Sequence, residues 1–122
     1  MTEDLPLAAT TVKGATRAAM TAELLAAADT GRVRFAVGRA SDFFGPGVTQ
    51  GSTLGERVFG NALAGRRADF IGHPGLPHTY SYVPDIAADL ATLGADARAE
   101  GQVWHLPGPP TGSATAFGRS PE

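Results

Sequence analysis

The most informative side chains able to do chemistry fall in two groups, Arg39-Ala-Ser-Asp-Phe-Phe-Gly-Pro-Gly47 and His78-Thr-Tyr-Ser-Tyr-Val-Pro-Asp-Ile-Ala87. In the second group, Tyr80 and Tyr82 project to one face of a strand and Ser81 to the other, because strand side chains alternate. Asp85 then falls in the first turn of a helix, where the dipole favours a carboxylate, which assigns it a structural job. In the first group, Asp42 only accepts hydrogen bonds when ionised, where an asparagine would also donate. Ser41 lacks the G-x-S-x-G setting of a hydrolase nucleophile. His73, His78 and His105 have no zinc-ligand spacing, so no metal is expected. Lys13 stands at the head of a helix beside Thr10 and Thr11, whose hydroxyls do not ionise near neutral pH without an adjacent base.

The elements that must position these residues follow from periodicity and punctuation. Ala15, Ala18, Ala19, Ala22, Leu25 and Ala26 recur at helical spacing, predicting a helix from about Thr11 to Thr30 with Gly31 as its stop. The apolar run Val33–Val37 predicts a buried central strand, parallel because a helix precedes it. Thr53-Leu-Gly-Glu56 has capping-box spacing and predicts a helix ending at Gly65. Short strands are expected at 68–71, 79–83 and 102–106. Pro84 suits a first helical turn, and Ile86, Leu90 and Leu93 give that helix an apolar face to Gly94. Arg66 and Arg67 read as a solvated helix end. From Gly108 the chain is Pro, Gly, Ser and Thr with little to bury, so 108–122 is expected to be a disordered tail.

Composition limits the function classes. The chain has 122 residues, 43% of them hydrophobic, which suits one small domain or a portion of a larger one. Its net charge of −2 gives no electrostatic case for nucleic acid or an anionic membrane. There is no cysteine, hence no disulfide or thiolate chemistry. The opening Met-Thr-Glu-Asp-Leu-Pro-Leu is unlike a signal peptide, and no apolar run nears the roughly 20 residues that span a bilayer. The expectation is a cytoplasmic protein. The richness in Ala, Gly and Arg suggests a bacterial, high-GC coding sequence.

A strand, then R-x-x-[ND]-[aromatic]-G-P-G, then [YF]-x-Y-V-x-D-[IV]-A resembles the second half of the NAD-dependent epimerase/dehydratase family, the extended short-chain dehydrogenases. The resemblance covers roughly residues 3–107. It implies an α/β fold, a partial Rossmann-like, doubly wound sheet with substrate-lobe elements, lacking the dinucleotide-binding half. It implies NAD or NADP chemistry at a carbinol carbon of a small-molecule substrate. Lys13 would contact the nicotinamide ribose, and Gly45 and Pro46 would pass the nicotinamide end. Asp42, Phe44, His78 and Tyr80 would line the substrate pocket.

The chain also departs from that pattern. The catalytic tyrosine position, four residues before Lys13, is Ala9, so no catalytic residue is expected there. Asp42 stands for a frequent asparagine, Phe44 for a frequent tyrosine, and His78 for an arginine common in sugar-nucleotide binders. No G-x-x-G-x-x-G follows an apolar strand. The expectation is therefore a truncated member, inactive and without bound cofactor when alone, with self-association through an exposed sheet edge. The competing expectation is a non-catalytic gene remnant or a small module that pairs with another chain.

Overall fold

Thr11 opens the first helix. Its hydroxyl accepts a hydrogen bond from the Gly14 N–H at 3.2 Å, satisfying one of the unpaired donors of the first turn. The computed structural model describes residues 3–73 and 75–113. Helix α1 spans Val12–Asp29, as the alanine periodicity predicts. At its end Gly31 takes φ 70°, Gly31 N–H donates to Ala28 C=O and Arg32 N–H to Ala27 C=O. That pair of bonds is a Schellman motif, which needs a residue free to turn left-handed. The face is displaced from the expected one. Gly14, Ala18, Thr21, Leu24 and Ala28 are half-buried, while Ala15, Ala19, Ala22, Leu25 and Ala26 are exposed. With alanine on several faces, the periodicity marked a helix but did not mark its inner side.

The remaining elements make a mixed α/β structure of small sheets with two strands each. Strands β1 (Val37–Arg39) and β5 (Val103–His105) pair in parallel, as do β2 (Asp42–Phe44) and β4 (Tyr80–Tyr82). Strands β3 (Pro77–His78) and β6 (Gly112–Ser113) pair antiparallel. A helical segment joins a wide π-type turn, Glu56–Gly60, to a short α2, Asn61–Leu63. Helix α3 spans Val83–Ala95, and a 3₁₀ turn covers Ala97–Ala99. The chain divides into two compact units, Met1–Arg39 with Ala91–His105 and Ala40–Leu90 with Leu106–Glu122. Among the described residues no helix is long and apolar enough to cross a membrane.

Several expectations are corrected. The ladder begins only at Val37, so Val33–Val37 is not a central strand, and in a two-stranded sheet each strand is an edge. Arg34, four-fifths exposed, reaches out to Glu100 in a bidentate pair instead. No strand forms at 68–71. Ala68 and Phe70 pack inward with the expected alternation, yet the segment makes one isolated main-chain bond, Asp69 N–H to Arg57 C=O, and finds no partner strand. The capping box is not formed. The Thr53 hydroxyl donates to Asp42 Oδ2 at 2.6 Å, and the Glu56 carboxylate lies forward against Gly60. Gly65 does stop its helix, at φ 67° with a second Schellman pair. In α3 the half-buried row is Val83, Ile86, Asp89 and Leu93, and Leu90 is exposed.

The second unit holds the main core: Leu54, Val58 and Tyr80, packed by Phe44, Ala68 and Phe70. In the first unit the buried hydrophobic residue is Ala99. Of the tail expected to be disordered, 114–122 lies outside the described residues. Residues 108–113 are fixed by polar contacts more than by burial: β6 pairs with β3, and the Thr111 and Thr79 hydroxyls meet at 2.8 Å.

Candidate functional site

The parallel pairing of β2 and β4 brings the two chemically rich segments together. Its register sets Asp42 beside Tyr80, Phe43 beside Ser81 and Phe44 beside Tyr82. Alternation then sends Asp42, Phe44, Tyr80 and Tyr82 to one face and Ser81 to the other. Ser81 is the buried polar residue of that other face, and its hydroxyl is satisfied by Ser41 at 2.8 Å.

On the first face a polar cluster forms around the Asp42 carboxylate. Oδ2 accepts from the Thr53 hydroxyl at 2.6 Å and lies 3.3 Å from His78 Nε2. The His78 ring leans on Tyr80, with centroids 4.7 Å apart and planes at 55°. Beside it, Phe44 stacks obliquely on Tyr82 at 5.5 Å and on Phe59 at 6.2 Å, giving an aromatic wall. A cleft of about 220 Å³ opens beside this cluster, lined by the polar Thr53, His73, His78 and Tyr80 and the apolar Phe70 and Leu76. That volume is below the several hundred Å³ of drug-sized pockets and suits a small ligand. The lining carries imidazole, phenol and hydroxyl groups, with the Asp42 carboxylate bonded behind Thr53 and His78. Together they can hydrogen-bond a hydroxylated molecule.

The residues expected to meet a cofactor have simpler local reasons. Gly45-Pro46-Gly47-Val48 closes a turn through Val48 N–H to Gly45 C=O at 3.2 Å, with Gly47 at φ 80°. Proline second and a left-handed glycine third is the type II pattern. Gly45 also lies on the Tyr82 ring: a Cβ there would stand 3.1 Å from the ring edge. This turn leaves β2, whereas the sequence suggested that it left the Val33–Val37 run. Lys13 is exposed in the first turn of α1, in the other unit. Ala9 packs against that same turn, its Cβ closely facing Gly14.

Asp42, His78 and Tyr80 are thus one contact group with Phe44 adjacent, and Lys13 is not part of that unit. Sequence reasoning missed Thr53, which read as a helix cap, and the cleft residues His73, Phe70 and Leu76. A proline-rich loop carries no periodicity to say which way its side chains face. The described residues contain no cluster of three or more His, Cys, Asp and Glu suited to a metal ion. No protein-family model, curated protein or solved structure matches this chain.

Proposed function

We propose that this chain carries the substrate-pocket portion of a protein similar to the NAD-dependent epimerases and dehydratases. In this reading the dinucleotide-holding half lies outside these 122 residues. The observation that carries it is the meeting of the two motifs: Asp42 contacts His78, and His78 with Tyr80 lines one cleft. The parallel pairs β1–β5 and β2–β4 would then be portions of a doubly wound, Rossmann-like sheet. Asp42, His78 and Tyr80 would hold the hydroxyl groups of a small polyhydroxylated substrate, and Phe44 would set the wall behind them.

The residues present do not by themselves suit NAD or NADP. A dinucleotide needs a glycine-rich turn between a strand and a helix N-terminus to cradle its pyrophosphate. Here β4 passes directly into α3 at Tyr82–Val83, without a glycine. Gly45 and Pro46 are committed to a hydrogen-bonded turn. Lys13 keeps its lysine side chain, but Ala9 offers no proton to exchange. The chain alone therefore binds no dinucleotide and turns over no substrate.

Calorimetric titration with NAD and NADP tests the cofactor half of the proposal, and micromolar binding would overturn it. Titration of the His78 ring signals with neutral sugars tests the substrate half. Saturable shifts that vanish in Asp42→Ala are expected. A His78 ring indifferent to every sugar tried would overturn the pocket assignment.

A second reading, a module that pairs with another chain or with its own copy, is favoured by exposed apolar side chains. Val12, Leu63 and Ile71 are 86%, 89% and 65% exposed, and each described sheet has two strands and hence open edges. Light scattering with thermal melting tests the self-pairing. A monodisperse monomer with a sharp, high-temperature transition would exclude self-association and favour a self-sufficient module over a remnant.

A further inference from the structure

The carboxyl ends of β1 and β5 meet at Arg39 and His105, which are register partners and both half-buried. In parallel sheets this is the end at which ligands gather. Here it is covered by the chain itself. The His105 main-chain N–H donates to Glu3 Oε1 at 3.1 Å, and the His105 ring Nδ1 lies 3.7 Å from the same oxygen. Arg39 Nη1 donates to the Glu3 main-chain carbonyl, also at 3.1 Å.

Arg39 therefore points a planar fork of donors at this end of the sheet and meets a neutral acceptor there. Among the described residues it has no carboxylate within ion-pair distance. An arginine so placed is matched by a planar carboxylate, which takes parallel N–H bonds from it. The segment that covers it is loosely held. Residues 3–10 are exposed, and the Glu3 side chain is nearly half exposed. Contacts between such exposed groups contribute little and yield to competitors.

We propose that the Arg39–His105 end of this strand pair is a binding site for a free carboxylate, filled in cis by Glu3 and opened when an incoming carboxylate displaces it. One ligand oxygen takes the place of Glu3 Oε1 on the His105 N–H, and the other reaches the Arg39 guanidinium.

The test is titration of the full chain with sodium acetate, followed by ¹⁵N resonances of the His105 amide and the Arg39 side chain, with sodium chloride as control. Glu3→Gln replaces the internal carboxylate with a neutral amide, a weaker acceptor for the His105 N–H, and at an exposed position leaves the fold intact. Since a tethered group competes at millimolar effective concentration, the variant should bind acetate about threefold or more tightly than the parent chain. Adding Arg39→Gln should abolish the saturable shift. Equal affinity in parent and Glu3→Gln, an equal response to chloride, or a shift that survives Arg39→Gln would each overturn the site. Should Arg39→Gln not fold, the comparison of parent with Glu3→Gln still decides.

Discussion

The two units of this chain each contain a short parallel strand pair, and they bury very different amounts behind it. In the second unit the β2–β4 pair contributes Phe44 and Tyr80 to a core with Leu54, Val58 and Phe70, so that Tyr80 is buried and lines one side of a cleft. In the first unit the β1–β5 pair comes with a long helix that buries no residue fully, and Ala99 is the one fully buried hydrophobic residue among the described ones. The difference is one of side-chain size. Alanine has the best helix propensity but little area to remove from water, whereas leucine and aromatics carry most of the hydrophobic free energy. Helix formation and core formation are separate demands, and the first unit meets mainly the first.

That contrast is broken or sharpened most strongly by a pair of truncations. Leu54→Ala, at a site 5% exposed, should cost about 3 kcal/mol through lost burial and the cavity left behind. Leu25→Ala on α1, at 36% exposure, should cost less than about 1 kcal/mol. Urea unfolding followed by circular dichroism measures both. Equal costs would mean that α1 is covered in solution by a partner surface, which would favour the pairing module over the substrate pocket.

A smaller effect asks whether local chemistry is shared where packing is not. Gly31 and Gly65 close helices in different units through the same Schellman bonds, at φ 70° and 67°, with open space where a Cβ would stand. Alanine at either place meets no clash and still has to adopt a left-handed backbone, so each substitution should cost about 1 kcal/mol. Matching losses in thermal melts would show that the stops are local devices, independent of the core. A much larger loss at Gly65 would tie that stop to the packing of Val58 and Leu54.

The same division explains what could be read from the sequence. Thr11 and Gly31 bound α1 through bonds within a few residues of themselves, and Gly65 and the Gly45–Val48 turn are equally local. Tyr80, Tyr82 and the aspartate in the first turn of α3 were legible because a strand alternates and a helix start attracts a carboxylate. What depended on partners was not legible. The Val33–Val37 run has the composition of a central strand, yet nothing in it encodes that the ladder starts at its last residue. Ala68 and Phe70 alternate like a strand but lack a neighbour to bond. Thr53 has the spacing of a helix cap, and the nearby Asp42 carboxylate draws its hydroxyl away. The Asp42–His78 contact lies between segments far apart in the chain, so the family-like motifs named its members while only the β2–β4 register brought them together.

A modest effect is expected at the Arg34–Glu100 pair in the first unit. Its two hydrogen bonds, at 2.6 and 2.5 Å, link residues 66 apart, but both side chains are well exposed. Exposed pairs contribute little even in good geometry, because water screens them and fixing two long side chains costs entropy. A double-mutant cycle with Arg34→Ala and Glu100→Ala should give a small coupling, weakened by salt. A coupling as large as the Leu54→Ala loss would mean that this pair, and not burial, organises the first unit.

The smallest effect concerns Asp96, which caps the 3₁₀ turn before β5. Its carboxylate accepts from the Arg98 side chain, with Nη2 at 2.6 Å, and from the Arg98 main-chain N–H at 2.9 Å. The Arg98 guanidinium first, and its main-chain bond second, hold the carboxyl down from an ordinary 3.8 to about 2. Because the folded value lies below the unfolded one, the stabilisation is fully present above pH 3.8 and is lost as pH falls from 3.8 towards 2. Arg98 stays protonated throughout. Melting temperatures of the parent chain and Asp96→Asn should therefore differ slightly at neutral pH and converge across that window. A difference that stays constant down to pH 2 would show that the cap works through its neutral hydrogen bonds alone, and that charge contributes nothing to this turn.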